Sequence, residues 1–227
     1  MRYIQKGSPP YSLLHWKTQR NPPSEGLIDN YEELRRDQNV LNELKTSLLR
    51  EQGYLCAYTG RKISDSDFHI EHIIAQSHCA NGEDTDYHNL LVCFPKPNTS
   101  CEYGAIEKKD WPSPSQRNLF ISPIMSICKD SFDFQTDGEI IPIGQYQDAA
   151  KETISRLNLN HPKLKDFRKE QIDSFLFDDP LSKEDLRNLL KGLQDAEAKI
   201  YDGATDQLTP FCFVFSKIIE KLLSLSQ

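Results

Sequence analysis

An acidic residue stands directly before a histidine at the end of a short apolar run, where Glu71 and His72 precede two isoleucines. A carboxylate can hold a divalent cation, and an imidazole can act as a general base near neutral pH. Phosphodiester hydrolysis needs an activated water and stabilised phosphoryl and leaving oxygens, and one metal ion can supply the stabilisation. Glu71 is therefore a candidate metal ligand and His72 a candidate catalytic base.

Asn89 follows the pair along the chain and is the second candidate catalytic residue, since its amide could hold the loop that aims His72. Each feature alone has an ordinary explanation: a Glu-His pair can be a surface ion pair, and an isolated asparagine usually marks a turn. The combination with Cys56 before them, and with Cys101 and Lys108 after them, favours the catalytic interpretation.

The elements around these residues must bring them together. Side chains of adjacent strand residues point to opposite faces, so Glu71 and His72 converge only if the strand bends just after His72. The sequence predicts this strand over 68–75, a hairpin over 54–63 before it, and a strand over 89–93 after it. A short helix is predicted within 101–111.

The flanking regions are predicted to be mostly helical. Leucines at helical spacing predict one helix over 29–52, preceded by an extended, proline-rich arm. Residues 113–143 look irregular, with a hairpin near Asp137 and Gly138, and several helices follow. We divide the chain into an N-terminal arm and helix (1–53), a central unit (54–112) and a mostly helical C-terminal region (113–227).

The net charge of −7 over 227 residues conflicts with nucleic-acid binding by the chain alone, because such proteins usually carry a basic face. A partner that supplies basic surface would resolve this conflict. No apolar run approaches the ~20 residues that span a bilayer, and the N-terminus has no apolar signal-peptide core. A cytoplasmic protein without membrane contact is the expectation.

The order of acid-histidine, asparagine-leucine and a Cys/Lys helix start resembles the HNH nuclease motif. Within that group, the whole chain resembles the HNH endonuclease subunit of Septu-type and retron-associated anti-phage systems (the PtuB type). The residues that carry the resemblance are Met1 to Trp16, Cys56-Ala57-Tyr58, Ile70 to Ile73, Tyr87 to Leu91, Ile121-Ser122-Pro123, Cys128, Phe132, Asp137 to Ile140, Leu157 to Asn160 and Leu164 to Arg168.

This resemblance implies an α+β fold with a ββα-metal (HNH) core, flanked by an N-terminal helix and a C-terminal helical region. It implies a nuclease that depends on Mg²⁺ or Mn²⁺ and cleaves nucleic acid, with DNA favoured over RNA. It also implies an ABC- or SMC-like ATPase partner (PtuA type). The alternative is a degenerate HNH module that binds nucleic acid or serves as an adaptor without cleaving.

The last metal ligand of the motif is left open. Alignment through the second cysteine puts that ligand on Ala105, which has no metal-binding group. Counting from the asparagine puts it near Asn98, while His88 and Glu107 are further candidates. Lys108 matches a basic position that could contact phosphate, although a solvated helix lysine is the ordinary alternative.

Many HNH domains bind a structural zinc through two Cys-x-x-Cys pairs. Here each pair keeps one cysteine, Cys56 in the first and Cys101 in the second. Two thiolates do not close a tetrahedral site, though Cys93, Cys128 or a histidine could complete it. Structural zinc is thus the less favoured expectation, and buried thiols packed as small hydrophobes are the more favoured one.

Overall fold

Two pairs of short antiparallel strands lie among eight α-helices and four 3-10 helices in the computed structural model, which describes residues 1–20, 28–64, 66–176, 181–201 and 207–225. The fold class is therefore α+β. In chain order the elements are α1 (Tyr11–Thr18), α2 (Tyr31–Arg36), α3 (Gln38–Glu51), β1 (His69–His72), β2 (Leu90–Cys93), α4 (Ala105–Lys108), β3 (Phe132–Phe134), β4 (Ile140–Pro142), α5 (Gln147–Arg156), α6 (Pro162–Leu176), α7 (Lys183–Tyr201) and α8 (Cys212–Ser224).

β1 and β2 form the pair that carries the candidate site. Their antiparallel register places His69 opposite Cys93 and His72 opposite Leu90. All four residues of β2 are buried, as its unbroken apolar sequence indicates, whereas burial alternates along β1. β1 ends at His72, three residues before the end of the strand predicted over 68–75. The chain therefore leaves the sheet directly after the histidine.

A glutamine side chain takes the place of a third strand beside β2. Gln52 follows α3 and is fully buried. Its Oε1 accepts a hydrogen bond from Val92 N at 2.8 Å, and its Nε2 donates to Val92 O at 2.9 Å and to Leu55 O at 2.8 Å. Val92 O also accepts from Ala57 N at 3.2 Å, but without Gln52 the buried strand edge would leave Val92 N and Leu55 O unpaired. Gln52 therefore fixes β2 against α3.

The N-terminal region is more helical and more divided than predicted. The extended arm contains α1, which buries Leu13 and Trp16. The single helix predicted over 29–52 is two helices, because Asp37 adopts an extended backbone and its side chain accepts a hydrogen bond from Val40 N at 3.2 Å. A short acidic side chain that caps a new helix in this way ends the preceding one.

The C-terminal region packs onto the same hydrophobic core as the rest of the described chain. The predicted hairpin is present as β3 and β4, and Gly138 turns it with φ +84°. Arg168 is buried and donates to the carbonyls of Gly138 and Leu159 at 2.5 and 2.8 Å, which gives the sequence motif around it a structural role. α8 buries its apolar face within this protein. Within the described ranges, no helix combines the length and apolar character needed to cross a membrane.

We predict that Gln52→Leu destabilises the protein by about 3 kcal/mol, because it leaves the buried Val92 N and Leu55 O without the partner that the amide supplies, at similar side-chain volume. Urea denaturation measures this change. Gln38→Leu is the matched control, since the exposed Gln38 amide bonds a single carbonyl, that of Arg35, and should change stability by less than about 0.5 kcal/mol. Equal effects of the two substitutions would contradict the strand-edge role of Gln52.

Candidate active site

β1 sends the candidate metal ligand Glu71 and the candidate base His72 to opposite faces. His69 and Glu71 lie on the half-buried face, and Ile70 and His72 lie on the buried face. The bend after His72 does not bring the two side chains onto one side. The site is therefore built in two halves that share the backbone of β1.

His72 is held in one orientation on its face of the strand. Its side chain is mostly enclosed, with the residue 8% exposed, and the ring meets the edge of the Tyr31 ring at 4.6 Å between centroids. Its Nε2 lies 2.9 Å from the backbone carbonyl of Asp84. Because a carbonyl only accepts, Nε2 carries the hydrogen and the neutral ring has its lone pair on Nδ1. The ring is fixed in the form that can take a proton.

The protonation state of His72 favours the same role. Burial lowers the pKa of the ring below its ordinary value, although the hydrogen bond to Asp84 O and the nearby carboxylates oppose this shift. A histidine with a lowered pKa is neutral at pH 7. His72 therefore has the electronic state of a general base.

Asn89 joins the two loops that surround His72. It ends a short 3-10 turn, Tyr87–Asn89, just before β2. Its Oδ1 accepts from Ile74 N at 2.8 Å, and its Nδ2 donates to Glu83 O at 3.0 Å. Its own backbone carbonyl accepts from Ile73 N at 2.9 Å. One side chain thus links the segment that follows His72 to the segment that presents the Asp84 carbonyl, which is the position needed to aim the histidine.

Glu71 lies in a cluster of donors on the other face of β1. Lys108 Nζ is 2.8 Å from Glu71 Oε1, and the Tyr58 hydroxyl donates to the same oxygen at 3.3 Å. His69 Nε2 is 3.7 Å from Oε2. Burial alone raises the pKa of Glu71, but the Lys108 ammonium and the His69 ring outweigh it and hold the carboxyl below its ordinary pKa. Glu71 is thus an ionised and already paired carboxylate.

Lys108 does not face solvent in this arrangement. Its side chain is only 1% exposed, and its ammonium also donates to His72 O at 2.8 Å. The contact with phosphate predicted for Lys108 would need this ammonium to leave both acceptors. As the structure stands, Lys108 connects α4 to β1.

The three alternatives for the last metal ligand do not gather around Glu71. His88 is exposed and lies 3.6 Å from the Asp86 carboxylate. Asn98 is exposed in the loop after β2 at φ +62°, and Glu107 is on α4 beside the lysine. Across the part of the chain that the structure describes, no group of three or more His, Cys, Asp or Glu side chains could hold a metal. The described residues therefore do not fit a metal ion at Glu71 in this arrangement.

The two predicted zinc-remnant cysteines contact different partners. Cys56 is buried beside Cys93, and its sulfur accepts a hydrogen bond from Phe94 N at 3.4 Å. Burial opposes ionisation of this thiol, but hydrogen bonds from Cys93, Thr59 and the backbone lower its pKa to about 6. Cys101 donates to Tyr103 O at 3.4 Å. Each sulfur is accommodated within the packed chain.

Two groups in the site, the His69 ring and the Asp84 carbonyl, were not predicted as functional from the sequence. His69 precedes Glu71 by one full strand repeat, and that spacing alone could have placed both on one face. The carbonyl of Asp84 had no sequence signal, because every residue carries one.

No protein-family model matches the chain. A protein of Vibrio cholerae serotype O1 biovar El Tor, described as "Retron Vc95 putative HNH endonuclease", is 31% identical to this chain over 147 residues. The aligned region covers 62% of this chain and 68% of that protein. The chain belongs to this retron HNH endonuclease family. Membership confirms the HNH nuclease and retron parts of the sequence prediction.

For this HNH family member, we predict that Asn89→Asp lowers stability by about 1–3 kcal/mol, because a carboxylate would face the carbonyls that the amide now donates to. Urea denaturation at neutral pH measures the loss. Asn39→Asp is a control on the exposed start of α3 and should leave stability nearly unchanged. Retention of full stability by Asn89→Asp would show that the loop does not depend on the amide.

Proposed function

We propose that this chain is the endonuclease subunit of a retron-associated anti-phage defence complex of the Septu type (PtuB type), and that it hydrolyses phosphodiester bonds of DNA. The observation that carries the proposal is the 2.9 Å contact between His72 Nε2 and the Asp84 carbonyl, from which we infer a neutral ring with its lone pair on Nδ1. Membership in the retron HNH family supports the reaction class.

His72 would act as the general base. Nδ1 takes a proton from the attacking water, while the bond from Nε2 to the Asp84 carbonyl keeps the ring in place and stabilises the imidazolium that forms. Asn89 acts on this step indirectly, because it holds the loops on both sides of the ring. The bond that orients the ring and the bonds that hold its loops are contacts already present in the protein.

Dependence on Mg²⁺ or Mn²⁺ is part of the proposal and stays a prediction. Glu71 is the carboxylate that the sequence assigns to the metal, and Lys108 pairs with it in this structure. The ββα-metal arrangement of β1, β2 and α4 is proposed on the same basis. Adding EDTA to a cleavage reaction tests this dependence independently of any substitution.

The partner is proposed to be an ABC- or SMC-like ATPase (PtuA type) that works with this chain in the cytoplasm. The net charge of −7 supports a partner, because an acidic chain needs basic surface from elsewhere to hold DNA. Co-expression with the ATPase and co-purification over a tagged nuclease chain is the direct test.

A second candidate is the degenerate HNH module without cleavage activity. The neutralised Glu71 favours it, since a carboxylate paired with a buried lysine has no free charge for a metal. Binding without cleavage, insensitive to substitution of His72, would support this candidate.

We predict that His72→Ala lowers cleavage of supercoiled plasmid DNA by about 10²–10⁴-fold, because the general base is lost. Plasmid nicking by the purified complex with Mg²⁺ or Mn²⁺ measures this effect. His15→Ala is the matched control, since His15 is exposed on α1 and outside the proposed machinery. Equal cleavage by His72→Ala and the intact chain would refute the proposed role.

The pH dependence gives a separate prediction. The base form of His72 is present above its pKa, which burial lowers, so cleavage should decline on acidification only below the ordinary pKa of imidazole. A rate–pH profile of plasmid nicking measures the midpoint. A midpoint above the ordinary imidazole pKa would contradict a buried, neutral base.

A further inference from the structure

We propose that Lys108 occupies the cation position at Glu71, so that a divalent cation can bind this carboxylate only after the lysine has left. This inference rests on the proposed function for its relevance to cleavage. The competition itself is inferred from the contacts that Lys108 and Glu71 make within the protein. Lys108 would then control access of a metal ion to the site.

Lys108 and Glu71 form a buried ion pair. The Lys108 side chain is 1% exposed and that of Glu71 13% exposed, with 2.8 Å between the charged atoms. Removing one partner of a buried ion pair is strongly destabilising, because it leaves an uncompensated buried charge. Lys108 is therefore the counter-ion that allows Glu71 to stay ionised inside the protein.

The Lys108 ammonium bonds two oxygens at the end of β1. The Lys108 ammonium contacts a carboxylate oxygen of Glu71 and the backbone carbonyl oxygen of His72, each at 2.8 Å. Carboxylate and carbonyl oxygens are also the ligands that hard divalent cations prefer. One ammonium thus uses the two oxygens that the end of β1 could offer to a metal ion.

The charge balance at Glu71 also disfavours a divalent cation beside Lys108. Glu71 carries one negative charge, and Lys108 already neutralises it, while the other nearby partners are the Tyr58 hydroxyl and the His69 ring. A divalent cation placed beside the ammonium would meet repulsion in a poorly solvated region. Metal and lysine therefore compete for Glu71.

The test is Mn²⁺ binding to the full chain, measured by electron paramagnetic resonance of free Mn²⁺ without any substrate. We expect Lys108→Met to bind Mn²⁺ about tenfold or more tightly than the intact chain, as a competing state is removed. Lys108→Arg keeps the charge and should bind as weakly as the intact chain. Lys109→Met removes a charge from the adjacent, exposed lysine and should also leave Mn²⁺ affinity unchanged.

Glu71→Gln in the Lys108→Met background should abolish the gain, because the carboxylate is the ligand being released. Unchanged Mn²⁺ affinity in Lys108→Met would overturn the proposal, and so would a gain that survives Glu71→Gln or appears equally in Lys109→Met. Circular dichroism checks folding. If Lys108→Met does not fold, Lys108→Gln, which keeps a donor for the His72 carbonyl, takes its place with the same expected gain.

The outcomes separate this inference from the proposed function. Tighter Mn²⁺ binding by Lys108→Met without DNA cleavage by any variant would uphold the competition and refute the nuclease. Cleavage that depends on His72, with equal Mn²⁺ affinity in Lys108→Met and the intact chain, would uphold the nuclease and refute the competition.

Discussion

Adjacent side chains on a strand point to opposite faces, and the whole candidate site follows from that constraint on β1. Glu71 is directed towards α4, where Lys108 pairs with it. His72 is directed towards the loop that presents the Asp84 carbonyl. The two halves share the strand, and Lys108 also joins them, because its ammonium bonds the backbone carbonyl of His72 as well as Glu71. A shift of α4 would therefore act on the carboxylate and on the backbone of the histidine together.

The two faces use burial in opposite ways. Around His72, burial favours the neutral ring, and a single carbonyl is enough to fix which nitrogen is free. Around Glu71, burial would favour the neutral acid, and it takes a lysine and a histidine to keep the carboxylate ionised. The buried side chain of Gln52 bonds the backbone of Val92 and so stabilises β2. Because β2 pairs with β1, Gln52 contributes to the position of both halves. The site is preorganised by hydrogen bonds that the fold itself requires.

Much of this arrangement was predictable from local sequence. The acid-histidine pair on a strand and the strand over Leu90–Cys93 follow from residue type and spacing, whereas the end of β1 at His72 falls inside the strand predicted over 68–75. The contact between Lys108 and Glu71 did not follow, because it joins residues far apart in sequence through the placement of a four-residue helix. The leucine spacing is continuous over 29–52, but Asp37 ends α2 and caps the start of α3. A local capping interaction therefore decided the helix boundary against the periodicity.

The proposed reaction requires His72 to be a neutral base with its free lone pair on Nδ1. Nitrogen-15 NMR of the imidazole rings, with His72→Ala to assign the signals, measures both the tautomer and the charge. We expect a neutral ring at pH 7 with the hydrogen on Nε2, as the bond to the Asp84 carbonyl requires. A ring that is protonated at pH 7, or that carries its single hydrogen on Nδ1, would contradict it.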